Sequence, residues 1–317
     1  MEYNNIPFVD KKVSRIFYGT AMQPFFTGEG GEELFDSMYE LGINAFDTAR
    51  NYKLSEKALG TWLDKRGNRE DVVVLSKCGH PDPDTWVKRI NEKDIMDDLN
   101  TSLELLKTDY IDIYLMHRDD EDVEVGRIVE IFTKLHEDGR IKAYGGSNWT
   151  DRRIAEAIDY ANKHDMLPMS VSSPNLTLGE LACDMWGGGC VSISGPENIE
   201  ARKYYERTQI PVISYASLAR GFFSGKLKST DESNISNILD EFAVKGYNCK
   251  SNFERLKRCE ELARKKNCLV SQIAMAYVYS LPLNTFAIVA SSSAERMKSN
   301  VDALSIKLTE DEIRYLE

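Results

Sequence analysis

The chain has 317 residues, 42% hydrophobic and 29% charged, the composition of an ordinary globular protein long enough to bury a large core. Its net charge of −11, from 51 acidic and 40 basic residues, argues against a general affinity for nucleic acid or an anionic membrane, so a phosphate-bearing ligand must be held by a local cluster. No apolar run approaches the roughly 20 residues of a membrane span, and Met1-Glu2-Tyr3-Asn4-Asn5 shows no signal-peptide pattern, so a cytoplasmic protein is expected.

Strand-like and helix-like segments alternate along the chain. The first strand is expected over residues 13–20, followed after Gly31 by a helix with Leu34, Phe35, Met38 and Leu41 on one face, ending at Gly42. A strand over 43–48 precedes a helix capped by Ser55, carrying Ala58, Leu59, Trp62 and Leu63 and stopping at Gly67. Strands over 72–77, 110–117, 141–147, 169–174, 212–216 and 286–291 continue the series, with helical spacing between them in Ile95, Leu99, Leu103, Leu106, then Ile128, Ile131, Phe132, Leu135, then Ile154, Ala157, Ile158, Ala161. Several strands are almost continuously apolar, as in a sheet covered on both faces. Two longer excursions stand out: Gly187-Gly188-Gly189 to Gly195-Pro196 after the sixth strand, and about seventy residues after the seventh, expected as a flap over the mouth.

Strict alternation demands parallel strands joined by right-handed crossovers, and eight units point to a closed (β/α)₈ barrel, one domain over residues 1–317. An open doubly wound sheet is the runner-up, but it would carry a glycine-rich fingerprint after the first strand, where this chain reads Gly19-Thr20-Ala21-Met22-Gln23.

In such a barrel, reactive side chains sit at the C-terminal strand ends. Three of these read Phe46-Asp47-Thr48-Ala49 with Tyr52 following, Leu75-Ser76-Lys77, and Leu115-Met116-His117. Neighbouring strands lie about 4.8 Å apart, which allows Asp47 to pair with Lys77, His117 to flank it, and Tyr52 to fold back over the same point. An ammonium about 4 Å from the phenol offers at most about 4 kcal/mol, about 3 pKa units, which would bring Tyr52 toward neutrality as a general acid, with desolvation and the Asp47 charge opposing. His117 would orient the oxygen on which charge develops. The set suits carbonyl reduction with hydride from a bound cofactor. Ser147-Asn148, Ser172-Ser173, Tyr215-Ala216-Ser217-Leu218 and Ser291-Ser292-Ser293 with Arg296, at the later strand ends, could grip a carboxamide, stack on a ring and hold phosphate at a helix start.

With those four side chains in order, Phe46-Asp47-Thr48-Ala49-x-x-Tyr52, Leu75-Ser76-Lys77 and Tyr114-Leu115-Met116-His117, nearly the whole chain resembles the aldo-keto reductases. The resemblance implies a barrel binding NADP(H) in extended form, preferred over NAD(H), and a small-molecule carbonyl substrate. It implies Gly19, Thr20, Ala21 and Asp47 near the nicotinamide and Ser147, Asn148 and Ser173 at the carboxamide, with Tyr215 stacking. It implies Ala216, Ser217, Leu218, Arg220 and Gly221 at the pyrophosphate, and Ser291, Ser292, Ser293, Arg296 and Asn300 at the adenosine phosphate. Ser173 stands where the family commonly has glutamine, Ala290 where many members have lysine or glycine, Ser299 where they have an acid, and the N-terminal hairpin looks shortened. Met22, Phe26 and Trp86 are expected to wall the substrate.

Other signals read as structural. Asp47 and Lys77 alone would pass for a structural ion pair. His80, His136 and His164 are expected at the surface or at helix ends, and four dispersed histidines without an H-x-H pair give no metal site. His117-Arg118-Asp119 mimics a kinase loop but has Glu124 where asparagine is required, and Gly28-x-Gly30-Gly31 lacks phosphate-loop spacing. The six cysteines, Cys78, Cys183, Cys190, Cys249, Cys259 and Cys268, have no C-x-x-C pair and are expected as thiols. A monomer or small homo-oligomer is expected. Two competing functions remain at this level: a nucleotide-sensing subunit of the same fold, like the potassium-channel β subunits, and a Schiff-base aldolase using Lys77.

Overall fold

The computed structural model describes residues 1–317. Its parallel strands are β1 (Ile16–Gly19), β2 (Ala45–Asp47), β3 (Val73–Cys78), β4 (Ile111–Met116), β5 (Ile141–Ser147), β6 (Val171–Ser173), β7 (Val212–Ser214) and β8 (Thr285–Val289). They form a closed barrel in the order β8-β1-β2-β3-β4-β5-β6-β7, the expected (β/α)₈ architecture. Five helices follow the first five strands in turn: α1 (Glu32–Glu40), α2 (Ser55–Arg66), α3 (Glu92–Leu106), α4 (Val125–Glu137) and α5 (Asp151–Lys163). Their starts are chemically marked, Asn91 accepting from the Asp94 N–H and Thr150 from the Arg153 N–H.

Most strands are shorter than expected by a residue or more at an end, and two boundary differences have a visible cause. The expected first strand divides: Val13–Ser14 pairs antiparallel with Tyr3–Asn4 in a two-residue hairpin, and the barrel strand begins at Ile16. The division falls where the Ser14 amide donates to Asn44 Oδ1 and its hydroxyl to the Ile16 carbonyl, which turns the backbone out of the ladder. Ser55 is the first helical residue of α2, with Leu54 at the cap, because its hydroxyl is spent on the Thr20 carbonyl at 3.0 Å.

Contacts gather the chain into two compact units, residues 2–173 with 290–294 and residues 174–289 with 295–317 and Met1. The first carries β1–β6. Its registers run Gly19 to Asp47, Asp47 to Leu75, Lys77 to Leu115 and Ser147 to Ser173. Behind β1 and β2 lies an aromatic core in which Tyr18, Phe25, Phe35 and Phe46 meet edge-on or stacked and Trp62 packs at a tilt on Phe35 and Phe46, with Phe25 and Phe35 at 4.4 Å. The second unit carries β7, β8, α6 (Ile199–Thr208), α7 (Glu241–Tyr247), α8 (Lys250–Lys266), α9 (Val270–Ser280), α10 (Ala294–Asp302) and α11 (Glu310–Leu316). The long segment expected as a flap is therefore mostly helix, and its irregular part is anchored by buried Ala219, Phe222, Phe223, Leu227 and Ile235. The excursion after β6 is tied down by Asn175, which bridges to Ser192 and Tyr215 and donates to the Tyr247 hydroxyl at 2.9 Å. No helix is long and apolar enough to cross a membrane.

Helices α2 and α3 cross at Gly60, where a Cβ would lie 2.2 Å from the Leu105 carbonyl oxygen and 2.6 Å from the Leu106 Cα, both backbone atoms that cannot rotate away. Gly60→Ala should cost about 1–3 kcal/mol by overpacking. Urea denaturation checks it: a lower midpoint at unchanged slope is expected, and a wild-type midpoint would show that the helices separate freely.

Candidate active site

The ladder of backbone hydrogen bonds runs past the strand ends and holds the next residues in line. Thr20 N–H donates to the Asp47 carbonyl, Thr48 N–H to Leu75, His117 N–H to Cys78 and Asn148 N–H to Ser173, at 2.8–3.2 Å. Asp47 closes β2, Lys77 is the second-last residue of β3, and His117 follows β4 directly. Lys77 lies two residues beyond Leu75, the partner of Asp47, so its long stem reaches back along the barrel axis. Its ammonium forms an ion pair with Asp47 Oδ1, donates to the Thr48 carbonyl at 2.9 Å and lies 3.4 Å from the Tyr52 hydroxyl. Tyr52 is presented by a turn in which its N–H donates to Ala49 and its carbonyl accepts from Ser55. The Tyr52 and His117 rings meet edge-on with centroids 5.6 Å apart. Asp47, Lys77 and His117 are 3%, 2% and 7% exposed, so this is a dry polar cluster.

Burial and neighbouring charge set the protonation states. For Lys77, burial disfavours the charged form, but Asp47 and the Tyr52 oxygen outweigh it and the pKa rises, leaving a firmly held ammonium. Tyr52 departs from the sequence expectation. Burial pushes its pKa above the usual 10.0; Lys77 only partly offsets this, and Asp47 works against Lys77. The argument from the ammonium alone fails because the burial that strengthens its pull also strips water from the phenolate. Tyr52 therefore carries its proton at neutral pH. His117 is driven well below 6.5 by burial and by the like charges of Lys77, His80 and Arg118, so its ring is neutral. Its Nδ1 is buried without a hydrogen-bond partner.

His80, expected at the surface or at a helix end, is half-buried, and its ring sits 5.0 Å from that of His117 and 6.4 Å from that of Trp86. It is placed there because Asp98 on α3 takes the Gly79 N–H at 2.9 Å and both guanidinium nitrogens of Arg89, clamping the two ends of the loop. No local pattern marks such a clamp, whose members are 19 and 9 residues apart. His136, by contrast, bonds the Lys142 carbonyl, and His164 ends α5 against Tyr160, as expected. Trp86 is held with φ 57° in a tight turn closed by Asp82 and is 46% exposed. Phe26 is half-buried beneath the Lys53 ammonium, 5.0 Å from its centroid, next in sequence to Tyr52; Met22 is half-buried beyond Thr20.

The Aldo/keto reductase family model matches residues 15–317. The chain belongs to this family. It is 25% identical to an aryl-alcohol dehydrogenase of Pestalotiopsis microspora, over 92% of this chain and 72% of that one. It is 24% identical to a Schizosaccharomyces pombe protein named for a voltage-gated potassium channel subunit beta, over 88% and 80%. A crystal structure of a thermostable aldo-keto reductase with the inhibitor epalrestat superposes with a TM-score of 0.73 at 21% identity, covering 100% of this chain and 98% of that one, and shows the same fold. The family and the relatives' names support an oxidoreductase.

The side chains that the aldo-keto reductase resemblance assigns to a cofactor fall into two groups. Some retain unused capacity: the hydroxyls of Thr20 and Ser173, with that of Thr48 beside them, are buried without partners, the kind of orphaned polar atom that a polar ligand satisfies. Gly19 is buried at the end of β1 and Ala21 is exposed beyond it. Others are already engaged. Asn148, with φ 57°, donates to the His117 carbonyl at 3.3 Å and to Ser147 Oγ at 3.2 Å, and Ser147 donates to the Ser173 carbonyl. Ser217 Oγ bonds Ser214 at 3.0 Å, and Arg220 grips Asp240 through two nitrogens while stacked 4.9 Å over Trp186. Tyr215 and Leu218 are half-buried; Ala216, Ala219, Arg220 and Gly221 all have positive φ, so this loop is a fixed, strained backbone. Ser291 Oγ accepts the Ser293 N–H at 3.1 Å ahead of α10, Ser292 and Arg296 are exposed and Asn300 is buried.

Because the folded-state pKa of His117 lies below its unfolded value, the unfolded chain binds a proton that the native one excludes. That stability is complete above about pH 6.5 and falls on acidification below it, by at most about 1.4 kcal/mol per pH unit. Denaturation midpoints between pH 7.5 and 5 should slope less for His117→Gln than for wild type; equal slopes would show that His117 charges freely in the folded protein.

Proposed function

We propose that this chain, acting as one domain over residues 1–317, is an NADPH-dependent reductase of a small-molecule carbonyl, an aldehyde, ketone or open-chain sugar, taking it to the alcohol. The observation that carries this reading is the Tyr52 hydroxyl 3.4 Å from the Lys77 ammonium, with Asp47 on that ammonium and the His117 ring alongside. When bound, NADPH supplies a hydride for the carbonyl carbon. Tyr52 gives its proton to the carbonyl oxygen as negative charge builds there, and the ammonium 3.4 Å away then stabilises the phenolate left behind. Asp47 holds the ammonium in place, and the neutral His117 ring orients the substrate oxygen. The unpartnered Thr20, Thr48 and Ser173 hydroxyls fit a polar ligand at these strand ends; when NADPH is bound, Ser147 and Asn148 would hold its carboxamide, Tyr215 would stack on its ring, and the 216–221 backbone would hold its pyrophosphate. Exposed Arg296 on α10 supports NADP(H) over NAD(H) through a bidentate grip on the extra phosphate. Trp86, Phe26 and Met22 form the substrate wall, and the row from His117 through His80 to Trp86 favours a flat, aromatic group. No nucleic-acid or membrane partner is part of this reading; it is a cytoplasmic monomer or small homo-oligomer.

A second reading, a cofactor-sensing subunit with little turnover, is favoured only by the name of the Schizosaccharomyces pombe relative. A Schiff-base aldolase needs a neutral amine, and the raised pKa of Lys77 opposes it.

Tyr52→Phe should lower kcat for a panel of aldehydes by about 10²–10⁴ while NADPH fluorescence titration gives a nearly unchanged Kd. Wild-type turnover in this variant would remove Tyr52 as the acid; tight NADPH binding by the wild-type protein without turnover of any carbonyl would favour the sensor.

A further inference from the structure

The acid group most deeply placed near the site is one the mechanism above does not use. Glu56, in the first turn of α2, has a fully buried side chain. One of its oxygens accepts from Arg50 Nη1 at 3.0 Å and the other from the Ser76 hydroxyl at 2.6 Å. Each partner stands beside a member of the reacting cluster. Arg50 precedes Tyr52 by two residues and its backbone N–H donates to the Lys77 carbonyl at 3.0 Å, while Ser76 precedes Lys77 on β3.

We propose that Glu56 is a positioning residue which, through Arg50 and Ser76, sets the distance between the Tyr52 hydroxyl and the Lys77 ammonium; this rests on the reading of Tyr52 as proton donor. The ion pair joins residues six apart that bracket Tyr52, so it closes the turn carrying the phenol as a chord closes an arc. The bond to Ser76 then fastens that chord to the strand carrying the ammonium. Without it, Tyr52 N–H on Ala49 and Ser55 N–H on Tyr52 still shape the turn itself and the Ser55 hydroxyl still ties it to Thr20, but only the Thr48 and Arg50 N–H groups, on Leu75 and Lys77, fasten it to β3. An ion pair whose acid is fully buried while Arg50 stays 27% exposed is a poor source of stability, because desolvation of the acid offsets much of the attraction. Its retention here is accounted for by geometry: at 3.4 Å the phenol is at the limit of hydrogen-bond reach, and a small outward shift separates it from the cation.

The sign of the effect follows. Lys77 lowers the Tyr52 pKa, so a phenol that drifts from it titrates at higher pH. The acid then stays protonated to higher pH but loses the cation that supports its conjugate base. Glu56→Gln should therefore lower kcat by about tenfold to a hundredfold, move the basic limb of the kcat–pH profile upward, and leave NADPH affinity nearly unchanged. Arg50→Met should do the same, and the double variant should fall little further, since both break one link. Ser76→Ala removes only the fastening to β3 and should shift the limb in the same direction with a smaller loss, a milder variant should the buried-charge changes unfold the protein. A merely structural acid would lower the melting temperature and leave the profile in place.

Kinetics with NADPH and aromatic aldehydes, beside a crystal structure of Glu56→Gln, decide the matter. The limb moved upward, with the Tyr52 oxygen displaced from Lys77, is the expected result. A wild-type profile, or a Tyr52 oxygen still within hydrogen-bond distance of Lys77, overturns the role of Glu56. If Tyr52→Phe itself turns over like wild type, the proposed function fails first; if that variant is inactive while Glu56→Gln keeps the wild-type profile, only the positioning role fails.

Discussion

The site depends on one buried ion pair. Lys77 could not remain an ammonium near the end of β3, 2% exposed, without Asp47 beside it, and without that ammonium the buried Tyr52 phenol would lose the cation that opposes its desolvation most strongly. Register makes the pairing possible: Asp47 is opposite Leu75 and Lys77 opposite Leu115, so the lysine lies further along the barrel and its stem reaches back to an acid on the neighbouring strand. A closed parallel barrel delivers this because every strand ends at the same rim.

The protonation pattern divides the chemistry. Burial raises the Asp47 pKa against the pull of Lys77, which itself is firmly held as an ammonium; Tyr52 keeps its proton, and His117 is neutral because burial and three cationic or protonatable neighbours discourage a charge on it. A proton donor whose pKa sits above neutrality is always loaded. In the proposed reaction its transfer would be assisted only when charge develops on an oxygen between it and the imidazole, which is differential stabilisation of the transition state rather than of the resting site.

Much of the fold was legible because it is repetitive. Eight apolar runs separated by helical spacing have few closed solutions, and Asp47, Lys77 and His117 fall at strand ends, as the spacing predicts. Boundaries were less readable: Ser14 and Ser55 look like strand and cap residues until the long-range partners of their polar groups, Asn44 and Thr20, are known. The same holds for His80, whose place beside His117 is set by the Asp98 clamp, and for the phenol's pKa, which depends on burial that no spacing encodes. Arg220 and Ser217 read as ligand groups from their neighbours in sequence, but Asp240 and Ser214 engage them in the folded chain.

The most direct test removes the ammonium. In Lys77→Met, shown by its melting curve to be folded, aldehyde reduction with NADPH should fall by at least about 10²-fold while NADPH binding persists, and any residual activity should extend to higher pH than in wild type. A Lys77→Met protein reducing aldehydes at the wild-type rate with the wild-type pH profile would contradict the account at its base.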